Sequence, residues 1–221
     1  MNKTVMNKQA IYEQAIYEQT GQLILFARAP VVGQIKSRIA RQAGKQAALS
    51  IYQELLDQLF DQFSKPQKFA VCCYTDQPDH AYFLAYKKQG INFYPQQGEN
   101  LGQRMFNALS NQIKSFSAVV LIGSDCPALT PTLVEEAFRK LSTGYQAVIT
   151  PAEDGGYVLI GFSGSLCPDI FEDIAWGSEK VLEQTRQKFK RSGLKFCQLE
   201  ALADIDTYED YQNWQKANPN N

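Results

Sequence analysis

Acidic residues at the ends of short apolar runs are the first candidates for chemistry. In IGSDCPALTPT, Asp125 comes just after the apolar run AVVLI. A carboxylate beyond the end of a buried strand can reach a metal that also touches ligand phosphates. Magnesium suits such a place, because it keeps several waters and takes one or two carboxylates plus phosphate oxygens. A plainer reading has Asp125 capping a turn while Thr130 and Pro131 open the next helix. In ADIDTYED, Asp204 and Asp206 alternate as on one face of an extended segment. Thr207 and Asp210 form a T-x-x-D helix start, which gives Asp210 a structural role. Asp204 and Asp206 are left to supply a second carboxylate to the same cation, since carboxylates brought together repel unless a cation sits between them.

The basic residues that would face such a cation's ligand lie early in the chain. FARAPVVGQIKSRIA (Phe26 to Ala40) carries Arg28, Lys36 and Arg38 near the start of a helix. Cations and free backbone N–H groups together make an anion site. Gly33 is the loop's only glycine and no GK[ST] occurs, which disfavours dinucleotide and Walker loops. A turn with solvated basic residues accounts for the segment equally well. TPAEDGGYVLIG (Thr150 to Gly161) sets Glu153, Asp154, Gly155 and Gly156 between two apolar runs. Asp-Gly-Gly reads as a hairpin turn, or as a loop whose backbone approaches a ligand while Asp154 orients a hydroxyl. IAWGSEK places Trp176 and Gly177 before a helix expected to be capped by Ser178. Trp176 is either core or the wall of an acceptor pocket.

These residues need elements to position them. LILFA is a short apolar run, and Ile51, Leu55, Leu56, Leu59, Phe60 and Phe63 follow at helical spacing, predicting a strand, a loop and one long helix. Further strands are predicted near Phe69 to Tyr74, Ile91 to Tyr94, Ala118 to Ile122, Ala147 to Thr150, Tyr157 to Ile160 and Lys195 to Leu199, most of them separated by helices. AVVLI is apolar at both alternating sets of positions, as in a strand covered by helices on both faces. The expected architecture is a single-domain, doubly wound, mostly parallel α/β sheet. In such sheets ligands bind beyond the carboxyl ends of the strands, where the residues above fall. Residues 22–221 are assigned to this domain and residues 1–21, with the tandem repeat QAIYE-QAIYE, to a helical or frayed extension.

Composition narrows the function. The 221 residues fit one large domain, and a net charge of −1 with scattered Lys and Arg gives no footprint for nucleic acid. No apolar run suggests a membrane span or signal peptide, so a cytoplasmic protein is expected. Five scattered cysteines without a CxxC pair argue against a zinc site or disulfide framework. The one histidine, His80, reads as an exposed surface residue, leaving catalysis to carboxylates and metal.

Taken in order, FARAPVVGQIKSRIA, QQGENLGQRM, LIGSDCPALT, PAEDGGYVLIG, IAWGS and DIDTYED resemble bacterial nucleotide-diphospho-sugar transferase-like proteins of GT-A type fold, a family formerly labelled a domain of unknown function. The resemblance covers nearly all of Gln22 to Trp214. It implies glycosyl transfer from a nucleotide-diphosphate sugar to a small-molecule acceptor, with Mg²⁺ or Mn²⁺ held by Asp125 and Asp206. Arg28, Lys36 and Arg38 would face the nucleotide phosphates, with Ala29, Pro30, Gly33, Gly102 and Arg104 in the same nucleotide-binding surface. Asp125 and Asp154 would be the catalytic carboxylates, and Gly155, Gly156, Trp176 and Gly177 would bound the acceptor or sugar. A homodimer stays open. Some members are associated with arsenosugar biosynthesis. The family usually has Asp where this chain has Asn100, and proline where it has Tyr208. QIKSRIA also resembles guanylyltransferases that act on phosphorylated small acids and release pyrophosphate, so nucleotidyl transfer is the rival reading. A non-catalytic nucleotide-sugar binder is the other alternative.

Overall fold

The structure is a computed structural model that describes residues 21–219, so the tandem repeat lies outside the described residues. Seven strands, β1 (Gly21–Phe26), β2 (Ala70–Thr75), β3 (Asn92–Pro95), β4 (Ala118–Gly123), β5 (Ala147–Pro151), β6 (Tyr157–Ser163) and β7 (Phe196–Gln198), form one sheet. Its order is β3-β2-β1-β4-β6-β5-β7. Every pairing is parallel except the two made by β6. The doubly wound, mostly parallel sheet is therefore present, with one reversed strand inside it. β6 is reversed because the short Ala152-to-Gly156 connection returns it directly against β5 as a hairpin.

The alternation expected of a doubly covered sheet is visible residue by residue. Leu23, Leu25, Val120 and Ile122 pack on one face against helix α2 (Lys45–Phe63) and helix α5 (Pro131–Ser142). Ile24, Val119 and Leu121 pack on the other against α4 (Leu101–Gln112) and α6 (Val181–Arg191). Short helices α1 (Ser37–Ala43) and α3 (Leu84–Lys88) and the carboxyl-terminal α7 (Tyr208–Ala217) complete the fold. Phe60, fully buried on α2, stacks on Tyr86 with ring centroids 4.4 Å apart. Truncating such a ring costs about 3–5 kcal/mol.

Three local expectations are corrected. The long helix predicted after β1 is two helices, because Gly44 at φ 90° breaks the run between α1 and α2. Helix α6 starts at Val181, and Lys180, not Ser178, occupies its cap position. Ser178 instead closes a turn of its own, donating to the Ala175 carbonyl at 2.7 Å and accepting from the Lys180 N–H at 3.3 Å. His80 is half-buried and caps a short 3₁₀ turn through Nδ1. Among the described residues no helix is long and apolar enough to cross a membrane.

Candidate functional site

Parallel register carries the strand ends, and the loops beyond them, to one edge. Phe26 of β1 stands beside Tyr74 of β2, and the ladder continues as the Ala27 N–H donates to the Tyr74 carbonyl at 3.1 Å. Two residues further along each strand lie Arg28 and Asp76, and they form an ion pair, Nε to Oδ2 at 3.2 Å. Asp76 also accepts from the Ala29 N–H at 2.7 Å. Arg28 is tied a second time, through Nη1 to the Gln34 carbonyl at 2.8 Å. The first loop is thus braced, with Ala29 and Pro30 buried and Gly33 turning it at φ 77°. Tyr52 of α2 links this loop to the β4 loop: its hydroxyl donates to the Arg28 carbonyl at 3.1 Å and lies 3.3 Å from Ser124 Oγ. Burial and then the nearby Asp125 charge push its phenol well above the usual range.

The same register logic brings the acidic loops together. Ala152 and Leu202 form a parallel bridge just beyond β5 and β7. Two residues past each bridging position lie Asp154 and Asp204. Asp206 completes the group: ligand atoms of Asp154, Asp204 and Asp206 all lie within 4.8 Å of one another. Crowding shows in their electrostatics. Burial, then Asp154 and then Asp206 push the Asp204 carboxyl up to about 6. Burial raises Asp206 as well, opposed by Lys36 and Arg38.

Asp125 stands beside this triad. Its Oδ1 lies 2.9 Å from Lys36 Nζ, and the Lys36 side chain is only 5% exposed. Lys36 also donates to the Ile205 carbonyl, and the Ile205 N–H donates to the Asp125 carbonyl at 2.8 Å. The β1, β4 and β7 loops therefore meet at one ammonium group. Arg38 Nη1 lies 2.6 Å from Asp206 Oδ2. Asp125 and Asp206 thus lie near enough to repel one another, each with a basic partner, Lys36 just before α1 and Arg38 in its first turn.

The remaining candidates sit around this centre. Asp154 Oδ1 accepts from the Gly156 N–H at 2.9 Å, so the hairpin fixes one of its oxygens. At Gly155, φ 91°, an added Cβ would lie 2.3 Å from the Glu179 carbonyl oxygen, so this glycine lets the hairpin pack against the segment before α6. An added Cβ on Gly102 would lie 2.7 Å from Trp176 Nε1, so α4 needs that glycine to approach the indole. Trp176 is half-buried and edge-on to Tyr157, with centroids 6.4 Å apart. Its outer side borders a cavity of about 540 Å³ with Phe106, Phe171, Glu172 and Asp173. Arg104 is turned back on Gly98, Nε to the carbonyl at 2.9 Å, and Gly177 turns its loop at φ 79°. Asn100 caps α4 by accepting from the Gln103 N–H, a task that needs an oxygen and not a charge. Thr207 and Asp210 form the expected capping box.

Sequence reasoning missed Asp76, Tyr52 and Gln96. Gln96 donates to the Ala27 and Tyr74 carbonyls at 3.0 Å, tying the β1 and β3 ends. Asp76 was findable, since it follows β2 just as Asp125 follows β4.

Comparison with known proteins agrees with the resemblance in the six segments. The family model described as "Uncharacterized protein conserved in bacteria (DUF2064)" matches residues 58–178. Over 90% of this chain and 88% of its own, a protein from Desulfovibrio desulfuricans G20, provisionally named a nucleotide-diphospho-sugar transferase, is 31% identical, with a TM-score of 0.80. The 4-diphosphocytidyl-2C-methyl-D-erythritol synthase of Anaerococcus prevotii DSM 20548 shares the fold at 15% identity and TM-score 0.61, covering 92% and 98% of the two chains. A cytidylyltransferase from Leptospira borgpetersenii serovar Hardjo-bovis does so at 13% and 0.54, covering 89% and 85%. Among curated proteins there is no match.

Proposed function

The chain belongs to the DUF2064 family of bacterial proteins, and on that footing we propose that it is a metal-dependent transferase acting on a nucleotide-activated donor. The reaction is transfer of a glycosyl group from a nucleotide-diphosphate sugar to a small-molecule acceptor. One observation carries this reading: three carboxylates gather at the sheet's carboxyl edge directly beside two basic residues of the first loop. Acidic and basic groups side by side fit a diphosphate bound with a cation better than either ligand alone.

The donor set suits such a cation. Asp204 and Asp206 offer hard oxygen atoms, which favour Mg²⁺ or Mn²⁺ over softer metals. Burial first, and then the neighbouring Asp154 and Asp206 carboxylates, raise the Asp204 carboxyl, and a bound cation would offset the second of these causes. When bound, a divalent cation supplies Lewis-acid neutralisation of the charge growing on the leaving diphosphate.

The chain's own groups do the rest. Lys36 is held by Asp125 and the Ile205 carbonyl, so its ammonium is fixed before any ligand arrives and costs no reorganisation in the reaction. Asp125, expected from the resemblance to hold the cation with Asp206, is instead engaged by Lys36 and stands outside the carboxylate triad, so Asp204 takes that place beside Asp206 and Asp125 positions Lys36. Arg28 and Arg38 extend the positive wall toward the diphosphate, along a loop shaped by Ala29, Pro30 and Gly33, whereas Gly102 packs against Trp176 and Arg104 is turned back on Gly98. Asp154 is the most exposed of the triad. It orients the acceptor hydroxyl and accepts its proton. Gly155, Gly156, Trp176 and Gly177 bound the acceptor.

A thermal-shift panel of nucleotides and nucleotide sugars, run with and without Mn²⁺, tests the reading. A nucleotide-diphosphate sugar is expected to raise Tm in a Mn²⁺-dependent way. Product analysis with the best ligand is then expected to show nucleoside diphosphate. Release of pyrophosphate from a nucleoside triphosphate would replace glycosyl with nucleotidyl transfer, and binding without turnover would leave a nucleotide-sugar binder.

A further inference from the structure

Three cations, Arg28 in the first loop, Lys36 at its end and Arg38 in the first turn of α1, are not tethered alike. Arg28 has two acceptors, Asp76 and the Gln34 carbonyl. Lys36 has two, Asp125 and the Ile205 carbonyl, and is almost fully buried. Arg38 has one, Asp206, and its side chain is 53% exposed. That one acceptor belongs to the acidic triad.

Resting on the metal-dependent reading above, we propose that Arg38 is an exchangeable counter-ion: it neutralises Asp206 while the triad holds no metal and is released to the donor diphosphate when a divalent cation takes that carboxylate. Leaving Asp206 costs little, because the Arg38 side chain is largely exposed and water screens the pair. The gain on the other side is larger, because a guanidinium can pair with a phosphate through two parallel N–H donors. Lys36 cannot make this exchange without giving up a nearly buried ammonium's two acceptors, so the work divides between a fixed cation and a mobile one. Metal and diphosphate then favour each other's binding, since the first frees the group the second needs.

The test uses the full-length protein and Mn²⁺ alone. Mn²⁺ affinity is measured by electron paramagnetic resonance for the wild type, Arg38→Ala and Asp206→Asn, and the phenylglyoxal reactivity of Arg38 is followed by peptide mass spectrometry with and without Mn²⁺. Arg38→Ala should bind Mn²⁺ about two- to five-fold more tightly, the equivalent of one exposed ion pair, and wild-type Arg38 should react faster once Mn²⁺ is bound. Unchanged affinity in Arg38→Ala would overturn the exchange. Tighter Mn²⁺ binding without any rise in Arg38 reactivity would overturn it too, since Asp206 would then serve both groups at once. Mn²⁺ binding wild type and Asp206→Asn equally would place the ion elsewhere and defeat the exchange alone. Failure of Mn²⁺ to bind the wild type would defeat the metal-dependent reading together with it.

Discussion

Lys36 Nζ lies 2.9 Å from Asp125 Oδ1, and this contact, with the Ile205 carbonyl on the same ammonium, joins residues from three separate strand-end loops. The pair is the mechanical centre of the site. Lys36 sits at φ 45° just before α1, an uncommon backbone conformation for a non-glycine residue, which the contacts of its side chain help to hold.

Replacing Asp125 with Asn should therefore destabilise the protein even without ligand. It leaves a nearly buried ammonium with its charged partner gone, and a hydrogen bond to a charged group contributes about 1.5–3 kcal/mol. Because Asp125 is itself 43% exposed, the expected loss is toward the lower end. Arg38→Ala removes an exposed pair and should cost less than about 1 kcal/mol. Urea unfolding with an unchanged m-value checks both, and equal losses would contradict the ranking.

The hairpin that carries Asp154 depends on a close backbone approach. Gly155→Ala meets a carbonyl oxygen at 2.3 Å on top of a left-handed φ, so it should cost more than about 2 kcal/mol. Gly144→Ala, at φ 94° with nothing within 4 Å, should cost only about 1–2 kcal/mol. Calorimetric Tm values for the two variants should separate clearly. Coincident values would mean the 152–156 connection relaxes without strain.

Asp204 sets a pH dependence with a definite sign. Its carboxyl rises from the ordinary 3.8 to about 6 in the folded chain, first through burial and then through Asp154 and Asp206. The folded state thus holds this proton more tightly than the unfolded one. The group's contribution is most favourable below the unfolded value and is lost as pH rises through the folded one. In a chelator, Asp204→Asn should gain Tm relative to wild type at pH 8, keep only about half of that advantage at pH 5, and lose it below the unfolded value. Adding Mn²⁺ at pH 8 should stabilise the wild type and leave the variant behind. If Asp204→Asn showed no pH-dependent difference from wild type, the crowding of the triad would be contradicted.

Trp176→Phe should separate acceptor from donor recognition. The smaller ring keeps the edge contact with Tyr157 but shortens the wall beside α4. Steady-state kinetics should show a raised acceptor KM with donor KM within about two-fold, as expected of one altered apolar wall. The reverse pattern would place the indole on the donor side.

Much of this arrangement was legible from local pattern. Apolar runs such as AVVLI marked strands, and the rule that ligands gather at carboxyl ends found Asp125, Asp154 and the Asp204–Asp206 pair. The same rule applied to CCYTD would have found Asp76. What was hidden depends on distant pairing. No local signal says that β6 lies between β4 and β5, or that Ala152 bridges Leu202 and so brings Asp154 beside Asp204. The partnership of Asp125 with Lys36 was hidden for the same reason, since it crosses from one strand-end loop to another. Local misreadings had local causes: Gly44 interrupts a periodicity that otherwise runs on, and Ser178 mimics a helix cap while closing its own turn.

Anomalous diffraction at the manganese edge, from crystals grown with Mn²⁺ and a nucleotide-diphosphate sugar, locates the cation relative to the three carboxylates. The account predicts one strong peak within coordination distance of Asp204 and Asp206, close to Asp154, with the diphosphate between it and Lys36. A diphosphate bound at this edge with the manganese peak elsewhere, or with none, would contradict it.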